Sequence, residues 1–219
     1  LGQRALENQD VDDLMREASR LVAETLDADY CKVLELDDDQ EEFLVRQGVG
    51  WDEGTVGTAT VSATEDDSQA SHTLASSSPV VVENLEADSR FDGPELLTDH
   101  DVQSGISVVV GAQDDPWGIL GVHGTSHVEF SDHDVNFVQS VSNILASAIS
   151  RRRGEEELIR QQEQLGALNS LNEVVREIID AVIDQSTREE IERTVCEHLA
   201  DTDSYMFAWV GDVDPNSRT

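Results

Sequence analysis

Among the 14 basic residues of this 219-residue chain only one, Lys32, is a lysine, and they face 47 aspartates and glutamates. So little positive charge excludes a nucleic-acid surface, because a phosphate backbone is held by clustered Lys and Arg and a formal net charge of -33 repels it. Any nucleic-acid role must lie elsewhere in the parent protein. Cysteine is nearly absent as well. Cys31, in a predicted strand, and Cys196, in a predicted helix, make no disulfide framework and suit buried single thiols in a reducing cytosol, so a cytoplasmic location is expected. Long apolar runs are also missing. Ile106 to Val110 and Tyr205 to Val210 fall far short of the roughly 20 residues a membrane helix needs, and no signal peptide opens the chain. The first residue is Leu1 and not methionine, which suggests a fragment of something longer.

Carboxylates are what the chain has in excess. With a pI near 4.1, a disordered acidic tail is the first thought, but the acids are interleaved with helix and strand periodicity, and a hydrophobic fraction of 38% suffices for a core once gathered into periodic segments. A halophilic protein fits better. Self-repulsion is strong in dilute buffer and largely disappears at about 1 M salt, where the screening length is about 3 Å. The fold should loosen at low ionic strength.

Val11, Leu14, Ala18, Leu21, Val22 and Leu26 mark one face of a first helix, and Tyr30 to Leu36 follows as a strand. After a turn at Asp37 to Gln40, Phe43 to Val49 returns as its hairpin partner. Gly50 to Ser78 is loop-like, with a short helix near Ser68 to Leu74. Further strands are expected at Pro79 to Glu83, Ile106 to Gly111 and Trp117 to Thr125, and a short helix opened by Pro94 within Gly93 to His100. This order predicts an α+β layer structure on an antiparallel sheet. In the last strand, Trp117, Ile119 and His123 alternate with Gly118, Leu120 and Val122. Gly118 and Gly124 are expected to leave gaps where a helix backbone can approach. Ser131 is the N-cap of the next helix, with Asp134 at N3 and Phe130 and Val135 as a hydrophobic staple that sets its departure angle.

After Arg153 a heptad appears, with Leu158, Leu165, Asn172 and Ile179 at one position and Gln161, Leu168, Val175 and Val182 at its partner. Such a seam suits a parallel homodimer in which Asn172 pins the register. The alternative is that the stripe packs on a second domain's own sheet, since Gly154 and Gly166 weaken the helix and the apolar face broadens after Leu171. A capping box from Thr187 to Glu190 then opens a helix carrying Ile191, Val195 and Leu199, which leads into a strand at Tyr205 to Val210. This helix and strand echo those that begin the chain, as a truncated second copy would. The predicted organisation is therefore a domain at 1–152, a helical linker at 153–185 and the start of a second domain at 186–219.

Taken together, GVGWDEGTVGTATVSA (Gly48 to Ala63), ENLEADSRF (Glu83 to Phe91), GPELLTDHDVQSGISVVVG (Gly93 to Gly111) and WGILGVHGT followed by EFSDHDVNFVQSV resemble a GAF domain, in particular those of haloarchaeal signalling proteins. The tail from Gln164 onward is similar to the linker and second GAF start of bacterio-opsin-activator-like transcription regulators. The resemblance implies an antiparallel sheet of five to six strands, terminal helices on one face and a small-molecule pocket on the other. Histidine kinases share this GAF type, but no histidine lies between His133 and His198, so the linker is not a phospho-acceptor helix.

If the pocket follows the family, its wall comes from His72, Phe91, Leu96, Leu97, His100 and Ser104. A lone histidine on a loop helix is more often hydrogen-bonded or solvated than a ligand, so no haem or metal is assigned to His72 or His100. His127, Glu129, Asp132 and His133 straddle a turn and a helix start, where caps and acids are expected anyway. No cofactor is expected: the cyclic-nucleotide signature is not recognisable, and no cysteine lies near the pocket to tether a bilin. A sulfoxide reductase of this type would need reactive loop cysteines, and no nucleophile–base constellation or phosphate loop appears. A non-enzymatic module remains, either a ligand-binding sensor that passes its state through the dimer helix, or a ligand-free dimerisation and spacing unit.

Overall fold

A computed structural model describes residues 10–37, 39–64, 68–76, 78–90, 94–183, 187–200 and 207–211. The chain divides into two units, Leu1–Gly154 and Glu155–Thr219.

In the first unit, α1 (Val11–Leu26) starts at Asp10, whose carboxylate accepts from the Asp12 amide, and ends at Asp27 in the left-handed conformation. Six strands follow: β1 (Tyr30–Leu36), β2 (Glu42–Val49), β3 (Thr60–Ser62), β4 (Val80–Val82), β5 (Ser104–Ala112) and β6 (Asp115–Gly124). They form one antiparallel sheet in the order β3-β2-β1-β6-β5-β4. The α+β fold expected from sequence is therefore present, with β3 as an unforeseen edge strand inside the loop-like stretch. Between β3 and β4 lies α2 (Gln69–Ala75), capped by Ser68. A 3-10 turn (Leu85–Ala87) and α3 (Glu95–Thr98) separate β4 from β5.

The last strand feeds α4 (Asp132–Ile183), a helix of 52 residues. Its start is a reciprocal cap. The Ser131 amide and hydroxyl both donate to Asp134 Oδ2, and the Asp134 amide donates back to Ser131 Oγ. Phe130 and Val135 pack beside the core.

Alternation divides the side chains of the sheet. One face, Cys31, Val33, Ile106, Val108, Val110, Leu120 and Val122, packs against Leu14, Met15, Ala18 and Val22 of α1 and Val138, Val141 and Leu145 of α4. Leu34, Leu36, Phe43, Val45, Val61 and Ile119 form a second cluster on the opposite face, and Val80, Val82, Leu85, Leu97 and Val102 a third. Ser142 of α4 donates to the Val109 carbonyl at 2.6 Å, and Arg46 of β2 grips Asp12 of α1 with two bonds of 2.8 and 3.0 Å.

The structure corrects the expected alternation of β6. A bulge sets Val110 opposite Gly118 but Gly111 opposite Pro116, so Trp117 has no partner and joins the helix-side core, whereas Ile119 and His123 face away from it. Gly111 sits at φ 115, where a β-carbon would press on the Trp117 amide at 2.7 Å. What closes on Gly118 is the backbone of β1 at Leu34 and Glu35, not a helix, and nothing approaches Gly124 closely.

In the second unit α4 continues through Gly154, and Leu158, Leu165, Leu168, Val175 and Ile179 are exposed along it, as is Asn172. The box at Thr187 and Glu190 caps α5 (Arg188–Ala200). The expected strand is not seen where it can be described: residues 207–211 carry no strand, and Phe207 and Trp209 are exposed. Tyr205 and Met206 lie outside the described residues. Among the described residues no helix is long and apolar enough to cross a membrane.

Candidate ligand-binding site

Tyr30, Lys32 and Leu34 point away from α1 and α4, because Cys31 and Val33 between them belong to the helix-side core. Strand register extends that face. Lys32 stands opposite Gly48 and Gly121, and Gly121 opposite Ser107; in the adjoining row Tyr30 stands opposite His123, and His123 opposite Gly105. The only lysine of the chain thus lies between two glycines. The imidazole of His123 lies over two more: a β-carbon on Gly105 would fall 2.5 Å from Nδ1, and one on Gly121 2.8 Å from Nε2.

Lys32 and His123 are 3% and 1% exposed. Neither ring nitrogen of His123 has a hydrogen-bond partner among the described residues, and no hydrogen bond or ion pair joins Lys32 to any of them. Each such orphaned group costs about 1–3 kcal/mol. The ammonium of Lys32 faces the Trp51 ring, whose centroid is 5.2 Å from Nζ. Trp51 is fixed in turn, since its indole N–H donates to the Cys31 carbonyl at 2.8 Å. Its ring lies 4.7 Å from Tyr30 and 5.0 Å from His100, centroid to centroid. His100 Nδ1 is 2.9 Å from the Leu96 carbonyl; a carbonyl only accepts, so Nδ1 carries a proton and the orphaned Nε2 sits 3.7 Å from Asp52 Oδ2.

Burial controls the electrostatics. It pushes the Lys32 ammonium down from 10.5 to about 7, against a small opposing effect of Cys31. Burial, helped by the like charge of Lys32, holds His123 well below the usual imidazole range. Cys31, one residue away on the other face, is pushed up to about 12, chiefly by burial. It is no nucleophile. Among the described residues no group of three or more His, Cys, Asp or Glu could hold a metal.

Of the residues expected to line a pocket, His100 joins the ring wall, and Leu97 is buried in the cluster against which Tyr30 and Trp51 pack. Leu96 packs with the Leu34 and Phe43 cluster. His72, on α2, helps hold the Asp88 carboxyl low, behind the stronger hydrogen bonds from Arg90. Ser104 shares the parity of Ile106, on the helix side, and its hydroxyl donates to the Ser126 carbonyl at 2.7 Å. It is not part of this face. Phe91 lies outside the described residues. Sequence reasoning missed Lys32, His123, Trp51 and Tyr30. The available signal was a lone lysine at strand parity with Tyr30 and Leu34. Grooves of about 450 and 140 Å³ elsewhere on the domain hold no orphaned buried polar atom.

The family model for the GAF domain matches residues 10–149. A stretch of 64 residues is 41% identical to a Haloferax volcanii protein named "Putative transcriptional regulator", covering 29% of this chain and 11% of that protein. The chain thus spans only about a tenth of that relative. Among solved structures, the GAF domain of a phosphoenolpyruvate-protein phosphotransferase from Coxiella burnetii superposes with a TM-score of 0.63 at 16% identity, over 71% of this chain and 91% of that one. Its Acinetobacter counterpart gives 0.60 at 18%, with the same coverage. The free methionine-R-sulfoxide reductase of Neisseria meningitidis gives 0.59 at 13%, over 70% and 86%. At these identities the likeness concerns the fold.

Proposed function

Because the chain belongs to the GAF domain family, we propose that its first unit is a sensory module that takes a small molecule over the sheet face bearing Lys32 and His123 and passes the bound state into α4. One observation carries this reading: on the face opposite the terminal helices, neither ring nitrogen of the buried His123 has a hydrogen-bond partner among the described residues, and the buried Lys32 beside it meets only the face of the Trp51 ring, whereas buried polar groups are as a rule satisfied. The output lies along α4, which is tied to β5 through Ser142 and carries the exposed apolar positions Leu158, Leu165, Leu168, Val175 and Ile179. Two copies pairing in parallel through that stripe, with Asn172 setting register, form the regulatory unit. Transcription regulation in a halophilic cytoplasm suits the resemblance to the Haloferax protein.

Cys31 argues against a sulfoxide reductase, since its buried thiol faces the helices. The competing reading, a ligand-free dimerisation spacer, requires the polar pair to serve no ligand. Native mass spectrometry in volatile salt, on protein purified from its own host, separates the two. A retained small mass supports the sensor, and a bare polypeptide mass supports the spacer. Replacing Leu165 and Leu168 by Arg is expected to convert a dimer into a monomer in light scattering; an unchanged mass would remove α4 from the interface.

A further inference from the structure

Apart from the Ser107 hydroxyl and the second ring nitrogen of His123, the floor of this site presents N–H donors. Lys32 offers three N–H donors and no acceptor, and His123 has an N–H donor in either tautomer. Among the described residues no carboxylate pairs with Lys32 or His123; Asp52 reaches the ring wall, 3.7 Å from His100. In a chain with 47 acidic residues and a net charge of -33, a buried cation with no acid beside it among the described residues is a pronounced exception. The strand neighbours cannot supply a counter-charge, because Gly48, Gly105 and Gly121 have no side chains. Beside this floor stands an aromatic wall of Trp51, Tyr30 and His100.

We propose that the site binds a small organic anion, its carboxylate or phosphate oxygens accepting from Lys32 Nζ and from His123 and its flat or apolar body lying against Trp51 and Tyr30. This inference rests on the reading of that face as a ligand site and adds the class of ligand. An anion reverses both penalties at once. It gives the ammonium the opposite charge it lacks, and it gives a ring nitrogen of His123 an acceptor. A neutral ligand could accept from both groups but would bring the ammonium no counter-charge. Burial lowers Lys32 to about 7, and a bound oxyanion would raise it.

With one lysine in the chain, protein grown with 13C-labelled lysine gives a single side-chain Cε resonance and needs no assignment. The full chain is titrated in 2 M KCl with benzoate, phenyl phosphate and the uncharged benzamide. The expected result is a saturable shift with benzoate or phenyl phosphate and an upward move of the Lys32 titration midpoint by at least one pH unit, benzamide doing neither. Which of the two anions binds at least tenfold more tightly identifies a carboxylate or a phosphate ligand. Lys32→Met should weaken the preferred anion at least tenfold in ligand-observed NMR, while the wild-type resonance keeps the test valid should that variant misfold. Benzamide binding as tightly as benzoate overturns the proposal. So does a resonance that responds to chloride alone, and so does unchanged binding to a folded Lys32→Met. A neutral mass retained in native mass spectrometry, with the lysine resonance silent to all anions, would leave the sensory reading standing and remove the anion. A bare polypeptide mass with every probe silent would remove both.

Discussion

Replacing Lys32 by methionine should make the ligand-free protein more stable, and the gain should depend on pH in a way no other side chain reproduces. Burial takes the ammonium from 10.5 to about 7, which corresponds to roughly 5 kcal/mol of folding free energy lost when the group is charged in both states. Below about pH 7 it is charged folded and unfolded, and the full penalty applies. Above about 10.5 it is neutral in both, and the penalty is gone. Between these limits the unfolded chain binds a proton at this site that the folded chain does not, so the contribution of Lys32 to stability climbs with pH by about 1.4 kcal/mol per unit. The other groups around it are His123 and Tyr30 on the same face, Trp51 with His100 and Asp52 beyond it, and Cys31 behind. His123, already neutral at pH 7, leaves the lower part of the window to Lys32, and Cys31, raised from 9.0 to about 12, lowers stability above about pH 9 in wild type and variant alike, so the difference between the two proteins still reports Lys32. Methionine restores apolar bulk with a repacking cost of about 1 kcal/mol, so the expected gain is about 2–4 kcal/mol at pH 6.5, shrinking toward zero by pH 10. Urea unfolding of both proteins in 2 M KCl at four pH values measures it. A variant less stable than wild type at pH 6.5, or a difference flat in pH, would refute the claim that this lysine is buried uncompensated.

The melting temperature should rise between dilute buffer and molar KCl, as self-repulsion of a chain of net charge -33 is screened; an unchanged midpoint in a thermal scan contradicts the halophilic reading. Gly105→Ala should destabilise by about 1–3 kcal/mol in urea unfolding, because its β-carbon meets the Val122 carbonyl at 2.6 Å as well as His123 Nδ1. Gly121→Ala should cost less, since the tight contact there is the ring alone, and a reversed order would mean that His123 is held more firmly than the backbone. Ser131→Ala should cost about 1 kcal/mol in the same assay, with Ser131→Asp recovering most of it, because the box with Asp134 satisfies the first amides of α4.

What was legible in the sequence was local. The helix Val11–Leu26, the hairpin from Tyr30 to Val49, and the boxes at Ser131 and Thr187 depend on contacts a few residues apart, and periodicity or cap chemistry reveals them. β3 was missed because its three residues lie among Gly, Ser and Thr and owe their extended shape to pairing with β2. The face of Trp117 was missed because a bulge between Val110 and Gly111 reverses parity, and a bulge belongs to the pairing of two strands. The site fared similarly. Leu97 and His100 could be guessed from their short helix, but Lys32 and His123 acquire meaning only when register sets them in adjacent rows beside glycines from β2, β5 and β6.

Under the sensor reading, the same register that sets Lys32 beside His123 also connects them to α4. His123 is the penultimate residue of β6, and the next turn is clamped: Asp29, at the start of β1, accepts from both the amide and the hydroxyl of Thr125 at 2.7 and 2.8 Å. Six residues further on, Ser131 opens α4, and eleven beyond that Ser142 binds the carbonyl of Val109, a β5 residue paired with Ile119 of β6. A ligand that pulled Lys32 and His123 together would therefore load β1 and β6, the pair whose ends are clamped at the turn before α4, and β6 is paired in turn with β5, whose Val109 carbonyl holds the helix. That arrangement transmits only as much as the ligand prefers one arrangement over the other, about 1.4 kcal/mol for each tenfold difference in affinity. A buried ammonium gaining a counter-charge would be a change of that size or larger, and it would occur on β1, the strand paired directly with β6, from which the exit helix departs.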